Sequence, residues 1–353
     1  MGSRPGYVVI RVLAAAVLAG ATLAPGLAAA DTDEEGHRLF TFKDSRITES
    51  SGLAVSPTHP DIYYTHNDSS DGPIFFAVGA DGRTRAKFTL QGGSARDWEA
   101  MAASKDPKTG RGVLWFADIG DNFDGAWPDV SVYRVPEPTT MRDAVIPATR
   151  YRFKYEDGGH NAEGIMVNPV TGRLYVVSKA FVGAVYAAPK RLRADRTNVL
   201  RKVGSAPIMA TDAAYAPDGS SYVIRTYFSA TVYRPSGDQI SRLSMPQLEQ
   251  AESITYTPDG KAVLTGSEGR NSPVYRVPLP ERVLRETAPS PAPTPTGQAA
   301  GAEGSKDDST KLVADAREAD DREAGVPGTA VALWLAAAAG ATGLITFIAR
   351  RVR

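Results

Sequence analysis

The chain has 353 residues, with 40 basic and 40 acidic side chains, no cysteine, and 42% hydrophobic residues. The lack of cysteine excludes disulfides, thiol catalysis and cysteine metal sites. The balanced charge, without a basic stripe, argues against nucleic acid as a partner.

The N-terminus has the features of a secretory signal. Two arginines precede an apolar stretch over residues 12–23, and an A-x-A cleavage site lies at residues 28–30. This arrangement is typical of a segment that is removed during export. We therefore expect a signal peptide over residues 1–30 and a mature chain that begins near Asp31.

One phrase recurs five times in the next part of the chain, residues 31–285. Each copy has a small or acidic residue, then apolar residues, a turn and a β-rich run, and the copies begin at Ser51, Glu99, Glu163, Asp212 and Glu252. A repeat of about 40 to 50 residues built from short strands is typical of a β-propeller, in which each copy forms one sheet. The sequence therefore predicts an all-β propeller with five blades, or with six if residues 136–161 hide a degenerate copy.

Three strands can be placed in each copy from its apolar runs and turn residues. The apolar start is the innermost strand, and a hairpin turn leads to a second strand, expected at residues 62–65, 113–116, 174–177, 222–224 and 262–264. Third strands are expected around four Val-Tyr pairs and at residues 74–78, and less distinct outer strands at residues 85–90, 149–154 and 199–203. Residues 39–43 are expected to complete the last blade and so close the ring.

The residues that open the copies are expected to meet at one end of the channel. Innermost strands border the channel of a propeller, so one mouth should carry a ring of five residues: Ser51, Glu99, Glu163, Asp212 and Glu252. Four crowded carboxylates must share protons or a cation, and oxygen ligands of this kind suit Ca²⁺ best. The sequence therefore predicts a Ca²⁺ site. The alternatives are that each acid caps backbone N–H groups of the neighbouring blade, or that the acids transfer protons.

The ends of the second strands add polar residues to the same mouth, because antiparallel pairing brings them beside the ring. The segment DIGDN over residues 118–122 adds Asp118 and Asp121 to the predicted metal ligands, although such a segment is also typical of a turn. The side chains expected to bind a ligand are His66, Asn67, Asp68, Asn122, Lys179 and Arg225. The two cations could hold an anionic group such as phosphate, or could neutralise the ring as ion pairs.

The C-terminal part of the chain is predicted to attach the propeller to a membrane. Residues 286–328 are rich in proline, alanine, glycine and charge, which is typical of an unstructured linker. Residues 329–349 form an uncharged run long enough to cross a bilayer, and the basic tail over residues 350–353 belongs on the cytoplasmic side. We therefore predict a single-pass protein of the cell membrane with an extracellular domain.

Several phrases resemble a family of exported bacterial, especially actinobacterial, β-propellers that are labelled WD40-like or TolB-like. They are THNDS from Thr65, DWEAMA from Asp97, ADIGDN from Ala117, VYRVPEP from Val132 and NAEGI from Asn161. The resemblance covers about residues 39–280 and implies the fold and an extracytoplasmic location. A more distant likeness, in layout and acid placement alone, is to propellers of the phytase and esterase-like group and to calcium-activated nucleotidases. No catalytic residue is carried over from that likeness.

Two functions of different classes follow from these patterns. In the first, the protein is a binding module that holds Ca²⁺ in the channel mouth and recognises an anionic small molecule or a component of the cell envelope. In the second, the same mouth is a metal-dependent phosphoesterase in which Glu99 or Glu163 orients the attacking water. The first is favoured because no nucleophile and base stand at a credible spacing.

Overall fold

The computed structural model describes residues 36–68, 71–123 and 125–288. The strands in these ranges, in chain order, are β1 (His37–Thr41), β2 (Ser50–Val55), β3 (Ile62–Asn67), β4 (Ile74–Gly79), β5 (Thr84–Gln91), β6 (Trp98–Lys105), β7 (Gly112–Asp118), β8 (Val130–Pro136), β9 (Ala144–Pro147), β10 (Thr149–Tyr155), β11 (Ala162–Val167), β12 (Leu174–Ser178), β13 (Gly183–Ala187), β14 (Asn198–Ala206), β15 (Ala210–Tyr215), β16 (Tyr222–Thr226), β17 (Ala230–Tyr233), β18 (Gln239–Leu243), β19 (Ala251–Tyr256), β20 (Ala262–Ser267) and β21 (Pro273–Pro278). A short helix, α1 (Glu281–Thr287), follows the last strand.

Each repeat folds as an antiparallel meander in which the first strand is innermost. The meanders are β2 to β5, β6 to β8 followed by β10, β11 to β14, β15 to β18, and β19 to β21. The last of these is completed by β1, which pairs antiparallel with β21. The predicted second and third strands are therefore confirmed, as is the closing role of residues 39–43.

The segment that could have hidden a sixth blade extends two existing sheets instead. Residues 136–161 supply β9, which pairs in parallel with β5, and β10, which pairs antiparallel with β8. The strand β10 also pairs in parallel with β14, so the second and third meanders join at their outer edges.

The innermost strands contact one another in cyclic order, namely β2, β6, β11, β15, β19 and again β2. Apolar clusters fill the spaces between neighbouring meanders in the same order. Between the first and second meanders, for example, Phe75 packs against Phe116 with ring centroids 4.6 Å apart. Val283 of α1 is buried in the cluster between the last two meanders. The fold is therefore all-β and propeller-like, as the repeats predicted.

A register shift occurs at the same place in every innermost hairpin, near the start of its first strand. The residues left without a partner across the hairpin are Ser51, Glu99, Glu163, Thr211 and Glu252. A bulge inserts one residue and re-aims its side chain. The equivalent positions therefore hold three glutamates and two hydroxyl groups, because in the fourth repeat the bulged residue is Thr211 and not Asp212.

Among the described residues, none belongs to a helix long and apolar enough to cross a membrane. The predicted signal peptide, the linker beyond residue 288 and the predicted span over residues 329–349 lie outside those residues.

Candidate functional site

Three carboxyl groups lie together at the end of the fold where the innermost strands begin. Asp68 follows β3, while Asp97 and Glu99 flank Trp98 at the start of β6. One oxygen from each of the three lies within 4.8 Å of the other two. Trp98 is fully buried, and its backbone N–H donates to the carbonyl of Asp68 at 3.1 Å. The start of β6 is thereby fixed against the end of β3, which holds the carboxylates in place.

The loop after β7 makes room for this cluster. A side chain on Gly120 would meet the carboxylates of Glu99 and Asp97, so the missing Cβ leaves the space that they occupy. Asn122 Nδ2 donates to Asp97 Oδ2 at 2.9 Å. The DIGDN segment therefore contributes to the cluster through its glycine and its asparagine.

Crowding and burial favour the protonated forms of these acids. Burial and then the charge of Asp97 raise the pKa of Asp68 to about 8, and a hydrogen bond between the two carboxyl groups adds to the effect. Burial also raises the pKa of Asp97. For Glu99, burial and then the charges of Glu163 and Asp68 raise the pKa well above its ordinary value. A cation among them would favour ionisation of all three.

Lys179 lies among further glutamates of the ring. Its ammonium group forms an ion pair with Glu163 and donates to the hydroxyl of Tyr227 at 2.7 Å. Burial, the largest effect, lowers the pKa of Lys179, but the charges of Glu163 and Tyr227 and the hydrogen bond to Glu163 together outweigh it and raise this pKa. Burial raises the pKa of Glu163 itself to about 8, against the effect of Lys179. Lys179 is therefore paired with an acid of the ring, as in one of the two roles open from the sequence.

The carboxyl groups around Lys179 and those of the cluster act on one another. Burial has the largest effect on the pKa of Glu163 and raises it, the charge of Lys179 lowers it, and the charge of Glu252 raises it further. Burial and then Glu252 raise the pKa of Glu268, which follows β20, to about 7. We call this set the acidic mouth; its carboxyl groups are Asp68, Asp97, Glu99, Glu163, Glu252 and Glu268.

Asp212 lies outside the acidic mouth although it was predicted to be one of its ligands. It is fully buried, and its oxygens accept from the backbone N–H groups of Ala213 at 2.7 Å and Ile254 at 2.8 Å. Ile254 belongs to the next innermost strand, so Asp212 caps the neighbouring blade, which was the alternative to metal binding. The cause is the bulge at Thr211, which turns the following side chain to the other face of the strand.

Arg225 is the second cation that was expected to bind a ligand. It has no exposed surface, and within the described part of the chain its three guanidinium nitrogens have no hydrogen-bond partner. Burial lowers its pKa to about 10, against the charges of Glu252 and Asp212. It therefore offsets buried acids behind the mouth and does not face solvent.

The two aspartates of DIGDN stabilise loops by accepting hydrogen bonds from backbone N–H groups. Asp118 is fully buried and accepts from the backbone N–H groups of Arg96 and Asp97, both at 2.9 Å, and its other oxygen forms an ion pair with Arg96 at 3.2 Å. Asp121 accepts from the backbone N–H of Trp127 at 2.6 Å. Neither belongs to the group of carboxylates that could share a metal, and both fit the turn that the sequence left as the alternative.

The polar residues at the end of β3 have mainly structural contacts. His66 is fully buried, lies edge-on to Trp98 with centroids 5.5 Å apart, and donates through Nδ1 to the carbonyl of Asn67 at 2.9 Å. Burial lowers the pKa of His66 to about 4. The side-chain oxygen of Asn67 accepts from the backbone of Thr48 and Glu49 at 3.0 and 3.1 Å.

Sequence reasoning did not single out Asp97, Tyr227 or Glu268 as site residues. Asp97 and Glu99 are two residues apart, with Trp98 between them, and the period of two along a strand places the two acids on one side. Tyr227 directly follows β16, where the rule applied to other strand ends would have found it. That rule places Glu268, which directly follows β20, at the same mouth, but no role was assigned to it.

The sequence matches no protein-family model and no curated protein. Among solved structures, this chain is similar to a gluconolactonase of Xanthomonas campestris, with 16% sequence identity and a TM-score of 0.42, over 65% of this chain and 72% of that chain. The resemblance to exported actinobacterial propellers therefore stays a prediction. The function must be inferred from the residues of the acidic mouth.

Proposed function

We propose that this protein is an exported, membrane-anchored propeller of five blades that acts as a binding module, and that its acidic mouth binds a divalent cation, with Ca²⁺ preferred. The observation that carries the proposal is the placement of Asp68, Asp97 and Glu99, with one oxygen of each within 4.8 Å of the others. The cyclic contacts of the innermost strands support five blades. Export and the membrane anchor are supported by the sequence patterns of residues 1–30 and 329–349.

The chemistry of the donors favours a hard cation. The three groups offer oxygen ligands alone, which suit Ca²⁺ and Mg²⁺ better than zinc, and Ca²⁺ accepts irregular sets of six to eight ligands. Two buried oxygens of the mouth, Asp68 Oδ1 and Glu163 Oε2, have no hydrogen-bond partner within the described ranges. Buried acceptors of this kind are costly unless they are satisfied, so a bound cation with its water ligands would stabilise them.

The balance of charge supports binding more than phosphoesterase chemistry. The acidic mouth has six carboxyl groups around Lys179, so even with one divalent cation the ionised site keeps a net negative charge. Phosphate would be repelled by that charge. Arg225, the second group expected to bind phosphate, has no exposed surface.

The proposal is tested with Tb³⁺, a hard cation that takes oxygen ligands and luminesces when a nearby indole is excited. Trp98 lies between Asp97 and Glu99 in the chain, so we expect luminescence when the purified full chain is excited at its tryptophans, and loss of the signal when Ca²⁺ is added. Asp97→Asn should weaken both effects. Asp195→Asn, which changes an exposed acid paired with Arg193, is the matched control. Unchanged luminescence and displacement in Asp97→Asn would contradict the proposal.

A further inference from the structure

Large apolar side chains are exposed in the loops at the same end of the fold as the acidic mouth. Phe123 is 71% exposed after β7, Phe181 and Val182 are 65% and 83% exposed after β12, Ile208 is 54% exposed before β15, and Phe228 is 76% exposed after β16. We call these five residues the apolar rim. Exposed aromatic residues gathered at one end of a protein mark an interaction surface more often than scattered single ones do.

The first part of the rim is tied to the carboxylate cluster by side-chain amides. Phe123 follows Asn122, which donates to Asp97 at 2.9 Å and accepts from Asn161 Nδ2 at 2.9 Å. The carbonyl of Asn161 in turn accepts from the backbone N–H of Lys179 at 3.0 Å. The loop that carries Phe123 is therefore held directly beside the cluster.

The rest of the rim is tied to Lys179. Phe181 lies two residues after it, and the hydroxyl of Tyr227, which precedes Phe228, accepts from its ammonium group at 2.7 Å. The carbonyl of Ala180 accepts from the backbone N–H of Met209, which follows Ile208, at 3.0 Å. The loops with exposed apolar residues thus meet around the side chains that form the acidic mouth.

The charge of the mouth selects the kind of partner. Its carboxyl groups outnumber the positive charges that lie with them, so an approaching cationic group favours their ionisation and is attracted, whereas an anionic group is repelled. Aromatic rings add to this preference, because the face of a ring attracts ammonium and guanidinium groups. Apolar neighbours of that cation would cover the exposed phenylalanines.

We propose that the acidic mouth and the apolar rim together form a docking surface for a polypeptide segment of a partner protein, in which an arginine or lysine enters the mouth and apolar residues on both sides of it contact Phe123, Phe181 and Phe228. This surface goes beyond the proposed cation site and shares its carboxylates. The basic side chain satisfies acceptors of the mouth, while burial of the phenylalanines supplies the apolar contact that binding requires.

The test is fluorescence polarisation with a labelled peptide, Gly-Leu-Leu-Arg-Leu-Leu-Gly, and the purified full chain in EDTA. We expect binding that weakens at least about tenfold when citrulline replaces arginine or serine replaces the leucines, and to a similar extent in the double variant Phe181→Ser with Phe228→Ser. Val145→Ser is the control, because Val145 is 66% exposed but lies on β9. The double variant should keep its response to Tb³⁺, which separates this surface from the cation site.

Three results would overturn the docking surface. They are absence of peptide binding, equal binding of the citrulline peptide, and unchanged binding by the double variant. If the peptide does not bind, but the full chain forms a dimer and the double variant does not, the occupant of the surface is a second copy of this chain. Binding to phosphatidylserine-containing vesicles, lost in the same variant, would instead assign the surface to lipid.

Discussion

Replacement of Glu99 by glutamine tests the cation site with the least change in shape. The substitution removes one of the three clustered carboxylates. Burial raises the pKa of Glu99 well above its ordinary value, which favours the uncharged carboxyl group without metal, and glutamine is an uncharged side chain of the same shape. We therefore expect the variant to be about as stable as the parent without metal, and to lose most of the stabilisation that Ca²⁺ gives.

The size of the effect follows from mass action. At a Ca²⁺ concentration of 100 times Kd, binding stabilises the native state by about 2.7 kcal/mol. For a domain of about 250 residues this raises the melting temperature by roughly 5 to 10 °C. If loss of one carboxylate weakens binding about a hundredfold, the same Ca²⁺ concentration equals Kd, and the gain falls to about 0.4 kcal/mol, or roughly 1 °C.

The assay is thermal unfolding of the full chain followed by tryptophan fluorescence at pH 8, in EDTA and in excess Ca²⁺. Asp195→Asn should keep the full shift, because its carboxylate pairs with Arg193 at the surface. An equal shift in Glu99→Gln and the parent would refute the assignment of Glu99 as a ligand. No shift of the parent with Ca²⁺, Mg²⁺ or Mn²⁺ would refute the cation site as a whole.

Three further outcomes are expected. Without metal, the urea concentration at the unfolding midpoint should decrease as the pH is raised from 5 to 8. The native state keeps protons on Asp68 and Glu163, whose pKa values are raised to about 8, while the unfolded state releases them above about pH 4. A midpoint that increases with pH would contradict this sign. Gly120→Ala should reduce the Ca²⁺-induced shift in melting temperature with little change in metal-free stability, since its Cβ would meet the carboxylate ends of the cluster. Asp118→Ala should lower the free energy of unfolding by about 3 kcal/mol in urea titrations, because it leaves buried N–H groups and Arg96 without their partner, and an unchanged value would contradict its structural role.

The repeat pattern was enough to predict the strands around the channel. Runs of β-branched and aromatic residues between glycine and proline turns placed second strands where β3, β7, β12, β16 and β20 are found. The strands that were not predicted are short and lie at sheet edges. For β9 the residues Ala144–Pro147 gain their partner from β5, which is distant in sequence, so no local pattern could indicate it. The strand β18 (Gln239–Leu243) is also difficult to predict, because its two apolar residues are separated by two polar ones.

Which side chains face the mouth was harder to predict than where the strands lie. In the fourth repeat the phrase aligned Asp212 with the glutamates of the other copies, but the bulge places Thr211 at the equivalent position. A shift of one residue moves a side chain to the opposite face of a strand. Because a bulge depends on hydrogen bonding across the hairpin, the letters of one strand do not reveal it.

The start of β6 shows how the fold can hold acids that repel one another. Trp98 is fully buried and stacks on Phe116 with centroids 5.1 Å apart, and removing such a side chain from a core costs about 3 to 5 kcal/mol. Alternation along the strand then places its neighbours Asp97 and Glu99 on the other side, toward the mouth. The packing of one aromatic residue therefore offsets the cost of bringing two carboxylates together, and it does so whether or not a cation is bound. For this reason we expect substitutions of the acids to change cation binding far more than folding, whereas Trp98→Ala should impair both.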